Sequence, residues 1–158
     1  MADSAFYASL PRTRGAAAAL LLDEGGRVLL VKPTYKEGWV LPGGVIEAGE
    51  SPLTACLREC GEELGLVPAL DGLVGVDWVP PHGDADAVNV FVFFGRITGE
   101  QVREIRLPAD ELSDYALRAP DDVTGFLPPL NERRLGPCLR AAAGGPVAYL
   151  EDGKEPAW

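Results

Sequence analysis

The chain has 158 residues, of which 47% are apolar and 24% are charged, and its formal net charge is −10 at pH 7. This composition is typical of a folded globular domain and does not suggest a disordered or a membrane protein. The acidic balance argues against a nucleic-acid partner, because such proteins rely on Lys and Arg to contact phosphate. An anionic small ligand would need a local source of positive charge, which a bound divalent cation can provide.

The predicted strands are recognised by apolar runs between turn residues. Residues 16–22 and 27–32 flank the turn sequence DEGG and predict a hairpin. We interpret the first run as a strand and not as a secretion signal, because it is short and ends in acidic residues. Further strands are predicted at residues 38–44, 73–79, 87–97, 112–120 and 146–154, and the long apolar run at 87–97 predicts a central strand.

The predicted helices are residues 51–66 and 127–143, the second with internal prolines. Strands interleaved with two helices predict one α/β domain with a mixed sheet over residues 1–158, with an N-terminal extension at 1–14 and a C-terminal strand or tail at 145–158. Cys56, Cys60 and Cys138 are an odd number of cysteines, which indicates buried thiols of a reducing cytoplasm and no disulfide framework. We therefore expect a cytoplasmic protein without a membrane or nucleic-acid partner. The sequence leaves the oligomeric state open, and a homodimer is one of the states it allows.

The first helix carries clear start and stop signals. Ser51 is suited to the N-cap, Pro52 to the first turn and Gly65 to the C-terminal exit. At 100° per residue, Glu59, Glu62 and Glu63 together span about 100° of the helix surface. The opposite stripe is predicted to face the core and holds Leu53, Leu57, Cys60 and Leu64, with Cys56 at its edge.

The acidic face has two interpretations. It can be a solvated surface, since repulsion between like charges on a helix costs only about 0.2–0.5 kcal/mol per pair. It can also bind a hard cation such as Mg²⁺, which prefers carboxylate, carbonyl and water oxygens. The preceding glycines, Gly43 and Gly44, favour the second interpretation because they allow the backbone to approach a metal or a phosphate closely.

The sequence from Gly44 to Leu66 resembles the signature of the Nudix hydrolase family. After Gly44 the matching residues follow at the spacing of that signature, with Cys60 at a position where an aliphatic residue is usual. The matched positions are Gly44, Glu50, Arg58, Glu59, Glu62, Glu63, Gly65 and Leu66. The resemblance implies an α/β/α sandwich with a mixed β-sheet. It also implies Mg²⁺- or Mn²⁺-dependent hydrolysis of a nucleoside diphosphate linked to a further moiety.

The resemblance also implies roles for individual residues. Glu59, Glu62 and Glu63 would be metal ligands, joined by the carbonyl of Gly43. Glu50 and Arg58 would be supporting residues that orient the helix and its carboxylates, and Arg58 can pair with Glu62 at the four-residue spacing. Glu47 lies in the same loop and is a candidate ligand of a second metal.

Outside the signature the sequence offers candidates with structural alternatives. Asp110 and Glu111 are candidates for the general base, and the alternative is an ordinary polar loop. Lys32 at a strand end can contact a phosphate or solvent. Trp39 can stack on a base or sugar, or simply pack. Gly44 is predicted to approach the substrate.

The substrate is open between ADP-ribose-like compounds, sugar nucleotides and nucleoside triphosphates. Pro81 lies 15 residues after Leu66, and family members that cleave ADP-ribose often carry a proline at this distance. Two other functions compete with hydrolysis. One is a nucleotide-sensing domain without turnover, and the other is a purely structural cation site.

Overall fold

The computed structural model describes residues 3–158, so Met1 and Ala2 of the predicted N-terminal extension lie outside it. Seven strands, four α-helices and one 3-10 helix occur in the described part. They are α1 (Ser4–Ser9), β1 (Arg14–Leu22), β2 (Val28–Pro33), β3 (Gly43–Val45), α2 (Pro52–Leu64), β4 (Leu70–Val79), β5 (Val88–Arg96), α3 (Gly99–Glu104), β6 (Leu112–Arg118), the 3-10 helix (Pro120–Asp122), α4 (Pro129–Ala142) and β7 (Ala148–Glu151).

The strands form one mixed sheet in the order β6-β2-β1-β5-β4-β7. Strands β1 and β5 are parallel, as are β4 and β7, and the other pairs are antiparallel. The predicted hairpin is confirmed by the β1–β2 pairing, and β5 lies inside the sheet as predicted. Along one side of β1, β2 pairs near Leu22 and β3 pairs at residues 16–18. This second pairing fixes the position of the two glycines in β3.

The two long helices lie on opposite faces of the sheet. Apolar residues of α2 pack with one buried cluster that includes Leu21 and Leu29, and residues of α4 pack with a second cluster that includes Leu20 and Leu30. Successive strand residues point to opposite faces, so alternate positions of β1 and β2 supply both clusters. The result is the predicted α/β/α sandwich. In residues 3–158 no helix is long and apolar enough to cross a membrane.

Helix α2 begins and ends where the sequence predicts. The Ser51 hydroxyl accepts a hydrogen bond from Thr54 N at 3.1 Å, and Pro52 occupies the first turn. Gly65 ends the helix with a left-handed φ of 70°, a conformation that glycine adopts without a side-chain penalty.

The buried face of α2 differs from the prediction. Cys56, Cys60 and Leu64 are buried as expected, but Leu53 is 45% exposed and Glu63 is only 7% exposed. The prediction for Leu53 was wrong, because β1 and β3 cover the side of the helix that includes Glu63.

Two α-helices and the 3-10 helix were absent from the sequence interpretation. Helix α3 has a recognisable signal, because Thr98 and Gln101 form a reciprocal capping box. The prolines of the last helix are accommodated differently from one another: Pro129 is in its first turn, and only Pro137 lies in the helix interior.

Candidate active site

Strand β3 and helix α2 meet at two glycines. The backbone N–H of Gly43 donates a hydrogen bond of 2.8 Å to Glu63 Oε2. A Cβ atom on Gly44 would overlap the carboxylate of Glu59. The missing side chain of Gly44 therefore leaves room for the Glu59 carboxylate, and that of Gly43 lets β3 pack against the backbone of Ala17 and Ala18 in β1.

Arg58 organises the glutamates around it. Its Nε and Nη2 atoms contact both oxygens of Glu50 at 2.8 and 3.1 Å, a bidentate pair. Its Nη1 donates to Glu59 Oε1 at 2.9 Å and to Glu62 Oε2 at 3.2 Å, and Nη2 also donates to the Val45 carbonyl at 3.0 Å. The predicted pairing of Arg58 with Glu62 is present. One guanidinium thus links the loop after β3 to two predicted metal ligands.

Burial changes the acidity of two glutamates. Burial raises the pKa of Glu63 to about 7, and the charges of Glu59 and Glu111 act in the same direction, against the Gly43 N–H and Lys36. Burial also raises the pKa of Glu59, although Arg58 opposes the effect. Both shifts have the sign expected when the charged form is desolvated. A cation at these carboxylates would offset that cost.

The two candidates for the general base are placed differently. The charge of Glu111 helps to raise the pKa of both Glu59 and Glu63, so its carboxylate acts electrostatically on the cluster. Asp110 contributes its backbone carbonyl, which accepts a hydrogen bond from Thr34 Oγ1 at 2.8 Å. Of the two candidates, Glu111 is the one whose charge acts on Glu59 and Glu63.

Glu47 lies in the exposed loop that precedes α2. Its backbone N–H donates to Glu50 Oε2 at 3.0 Å, so the Glu50 that pairs with Arg58 also fixes this loop. Within residues 3–158 the Glu47 carboxylate makes no hydrogen bond to the cluster, and its role as a ligand of a second metal stays a prediction.

Lys32 of β2 lies next to Trp39, in the loop that follows this strand. The Lys32 ammonium is 5.9 Å from the centre of the Trp39 ring, within the range of a cation–π contact. The Trp39 ring is also 6.3 Å from that of Phe126, at a tilt of 58°. The structure therefore brings the two predicted substrate residues into contact with each other.

Tyr35 and Lys36 lie in the loop after β2. The charge of Lys36 lowers the pKa of Glu63, and Tyr35 is 74% exposed. A tyrosine followed by a lysine in a strand-connecting loop is a weak signal, because most such pairs are solvated.

The carboxylates have the donor chemistry for a hard cation. One oxygen each of Glu59, Glu62 and Glu63 has a hydrogen-bond partner, and within the described residues the second oxygen of each has none. In residues 3–158 no group of three or more His, Cys, Asp or Glu residues is placed to hold a metal ion, so the three glutamates do not form a preorganised metal site. The residues fit a divalent cation by chemistry, and the cation would compete with Arg58 for Glu59 and Glu62.

Comparison with known proteins supports the family suggested by the signature. A protein of Bacillus subtilis (strain 168) proposed as an 8-oxo-dGTP diphosphatase is 32% identical over 136 residues, which cover 85% of each chain. An ADP-ribose pyrophosphatase of Methanocaldococcus jannaschii is 31% identical over 86 residues, covering 52% of this chain and 51% of that protein.

The fold also has solved counterparts. The crystal structure of a UDP-X diphosphatase superposes with a TM-score of 0.72 at 21% identity and covers 95% of this chain and 76% of that chain. The family model described as NUDIX domain matches residues 12–141, which include every predicted site residue. The chain therefore belongs to the NUDIX domain family and is a Nudix hydrolase, the enzyme class that the signature predicted.

Proposed function

We propose that the protein is a metal-dependent pyrophosphohydrolase that cleaves a nucleoside diphosphate linked to another moiety. The observation that carries this proposal is the close approach of Glu59 and Glu63 of α2 to Gly43 and Gly44 of β3. There, burial raises the pKa of Glu59 and Glu63. A surface that served only solubility would not bury carboxylates against the backbone, since burial of a charge without compensation is unfavourable.

The proposed cation ligands are Glu59, Glu62, Glu63 and the carbonyl of Gly43, with Glu47 as a candidate for a second ion. Mg²⁺ or Mn²⁺ suits this all-oxygen set. When bound, such a cation neutralises charge on phosphate oxygens and lowers the pKa of a coordinated water.

The other residues have supporting roles in this proposal. Arg58 and Glu50 hold the carboxylates in position through the bidentate pair and the contacts to Glu59 and Glu62. Glu111 is the proposed acceptor of the proton from the attacking water, because it is the base candidate whose charge reaches Glu59 and Glu63. The backbone of Gly44 and the Lys32 ammonium, which lies over the Trp39 ring, are proposed contacts of the substrate phosphate.

The substrate class is a nucleotide with a phosphoric anhydride bond. The names of the two sequence relatives point to an oxidised nucleoside triphosphate and to ADP-ribose, which share such a bond but differ in what lies beyond it. We therefore propose sugar nucleotides, ADP-ribose-like compounds and nucleoside triphosphates as the compounds to test.

The test is phosphate release from a panel of these nucleotides, coupled to a phosphatase, with Mg²⁺, with Mn²⁺ and with a chelator. We expect metal-dependent turnover of at least one compound and its loss in Glu62→Gln. Because the Glu62 side chain is 56% exposed, this variant should remain folded. Glu104→Gln, on exposed α3, is the matched control and should keep full activity.

Two outcomes would contradict the proposal. A fully active Glu62→Gln would show that the acidic cluster has no role in turnover. Tight nucleotide binding without hydrolysis of any compound would favour the nucleotide-sensing alternative.

A further inference from the structure

The segment of residues 34–39, in the loop between β2 and β3, is anchored at both of its ends. At its start, Thr34 N donates to the Glu111 carbonyl at 2.9 Å, and Thr34 Oγ1 donates to the Asp110 carbonyl at 2.8 Å. At its end, Trp39 N donates to the Phe126 carbonyl at 2.9 Å. The residues between Thr34 and Trp39 are therefore held beside the segment that carries Glu111.

Tyr35 is an exposed aromatic residue in this anchored loop. It follows Thr34 directly, so it lies next to the Glu111 segment, and 74% of its surface is exposed. Partial desolvation of its hydroxyl and the negative charges of Glu63, Glu111 and Glu59 raise the pKa of Tyr35. The hydroxyl end of the ring is thus within electrostatic range of the carboxylates, while the ring remains open to solvent.

Lys36 brings a positive charge to the same place. Its ammonium is 5.6 Å from the centre of the Tyr35 ring, and its charge acts on the carboxylate of Glu63. A polyanionic substrate that approaches the glutamates meets repulsion, and a nearby cation reduces it. An exposed aromatic ring beside an ammonium group offers a nucleotide one surface for its base and one partner for its phosphate.

Trp39 is less available as a stacking surface. It is partly buried and already has Lys32 at 5.9 Å and the Phe126 ring at 6.3 Å. Of the two aromatic residues in the loop, Tyr35 presents the more open ring.

We propose that Tyr35 and Lys36 form the outer part of the substrate site, where the Tyr35 ring stacks on the nucleobase and Lys36 pairs with a phosphate. This inference rests on the nucleotide-binding part of the proposed function. Stacking accepts any base, because every base has an aromatic face. The site therefore selects a nucleoside part over a bare sugar phosphate and leaves the choice among bases to other contacts.

The experiment compares ligands that differ only in the base. Isothermal titration calorimetry of the full chain with Mg²⁺ measures Kd for AMP, GMP, CMP and UMP and for ribose 5-phosphate. The proteins are the wild type, Tyr35→Ala, Tyr35→Phe and Lys36→Gln. Tyr7→Ala is the matched control, since Tyr7 is 59% exposed and lies on α1. Unfolding temperatures verify that each variant is folded.

In the wild type we expect nucleotides to bind about fivefold to 100-fold more tightly than ribose 5-phosphate, the range that stacking on one aromatic ring provides. Tyr35→Ala should remove this preference, and Tyr35→Phe and Tyr7→Ala should keep it. Lys36→Gln should raise Kd for the nucleotides and for ribose 5-phosphate by the same factor. A preference that persists in Tyr35→Ala, or a wild type without one, overturns the inference.

The two proposals can fail separately. A wild type that hydrolyses nucleotides but has no Tyr35-dependent preference retains the proposed function and overturns this inference. A Tyr35-dependent preference for nucleotides without hydrolysis supports this inference and overturns the proposed hydrolysis.

Discussion

The backbone N–H of Gly43 donates a hydrogen bond of 2.8 Å to Glu63 Oε2, and this contact lies in a site where Glu63 is only 7% exposed. A single hydrogen bond to a carboxylate offsets only part of the cost of removing it from water. The cost that remains favours the protonated form, which is why burial raises the pKa of Glu63 to about 7.

In the metal-free protein, the contribution of Glu63 to stability should therefore fall as pH rises. The folded state binds the Glu63 proton more tightly than the unfolded state, so this contribution is complete below pH 4.5 and is lost between pH 4.5 and about 7. The difference between these pKa values corresponds to roughly 3 kcal/mol. Urea unfolding in the presence of a chelator, at several pH values, measures this change in the free energy of unfolding.

Glu63→Gln should flatten this pH dependence, because the amide does not titrate. The control is Glu104→Gln on exposed α3, which should keep the wild-type profile. An unchanged profile in Glu63→Gln would show that Glu63 titrates near its ordinary value.

The adjacent glycines Gly43 and Gly44 should respond differently to substitution by alanine. In Gly44→Ala the new Cβ meets the mobile end of Glu59, so we expect displacement of this carboxylate and a loss of kcat on the order of 100-fold, with a nearly unchanged Tm. In Gly43→Ala the Cβ meets the backbone of Ala17 and Ala18, which cannot move aside. That variant should be strongly destabilised or should not fold.

Thermal unfolding together with steady-state kinetics separates the two effects. Gly26→Ala is a useful reference, because a Cβ there meets no atom within 4 Å, although its φ of +77° adds strain. Full activity in a folded Gly44→Ala would mean that Glu59 does not need its present position.

Substitutions of the two candidates for the general base should also differ in their effect on kcat. Glu111→Gln should lower kcat by about 100-fold to 10,000-fold, the usual contribution of a general base, because the charge of Glu111 acts on Glu59 and Glu63. Asp110→Asn should have little effect, since the Thr34 contact uses the Asp110 backbone carbonyl. Single-turnover rates of both variants provide the measurement, and equal losses would contradict the assignment.

The sequence predicted those features of the site that depend on local signals. Ser51, Pro52 and Gly65 predicted the bounds of α2, and the glutamate spacing predicted the pairing of Arg58 with Glu62. These features follow from helix geometry alone, which is fixed by the chain over one or two turns.

The features that were missed depend on tertiary contacts. Helical periodicity assigned Glu63 to the acidic face and Leu53 to the core, but docking of β3 on α2 buries the first, and the second remains exposed. The choice between Asp110 and Glu111 was open in the sequence, because it depends on how Thr34 and the start of β6 align. Neither relation involves residues that are close in the chain.

A last prediction concerns the opposite face of the sheet, where an ion pair joins β4 to α4. Asp77 is fully buried, and its Oδ2 accepts a hydrogen bond from Arg134 Nε at 2.7 Å. Its Oδ1 accepts from Gly153 N at 3.0 Å, which fixes the chain after β7. Asp77→Ala leaves the Arg134 guanidinium without its charged partner, so we expect a loss of about 3–5 kcal/mol in the free energy of unfolding.

The matched control is the exposed pair of Arg140 and Glu155, whose side chains are 63% and 57% exposed. Glu155→Ala should change stability little, because surface ion pairs contribute about 0–1 kcal/mol. Urea unfolding compares the two variants. Because Asp77 lies on the α4 side of the domain, folded Asp77→Ala should retain kcat, and a specific loss of kcat would instead connect this ion pair to the active site. Equal stability losses in the two variants would mean that burial of Asp77 does not determine the strength of its contacts.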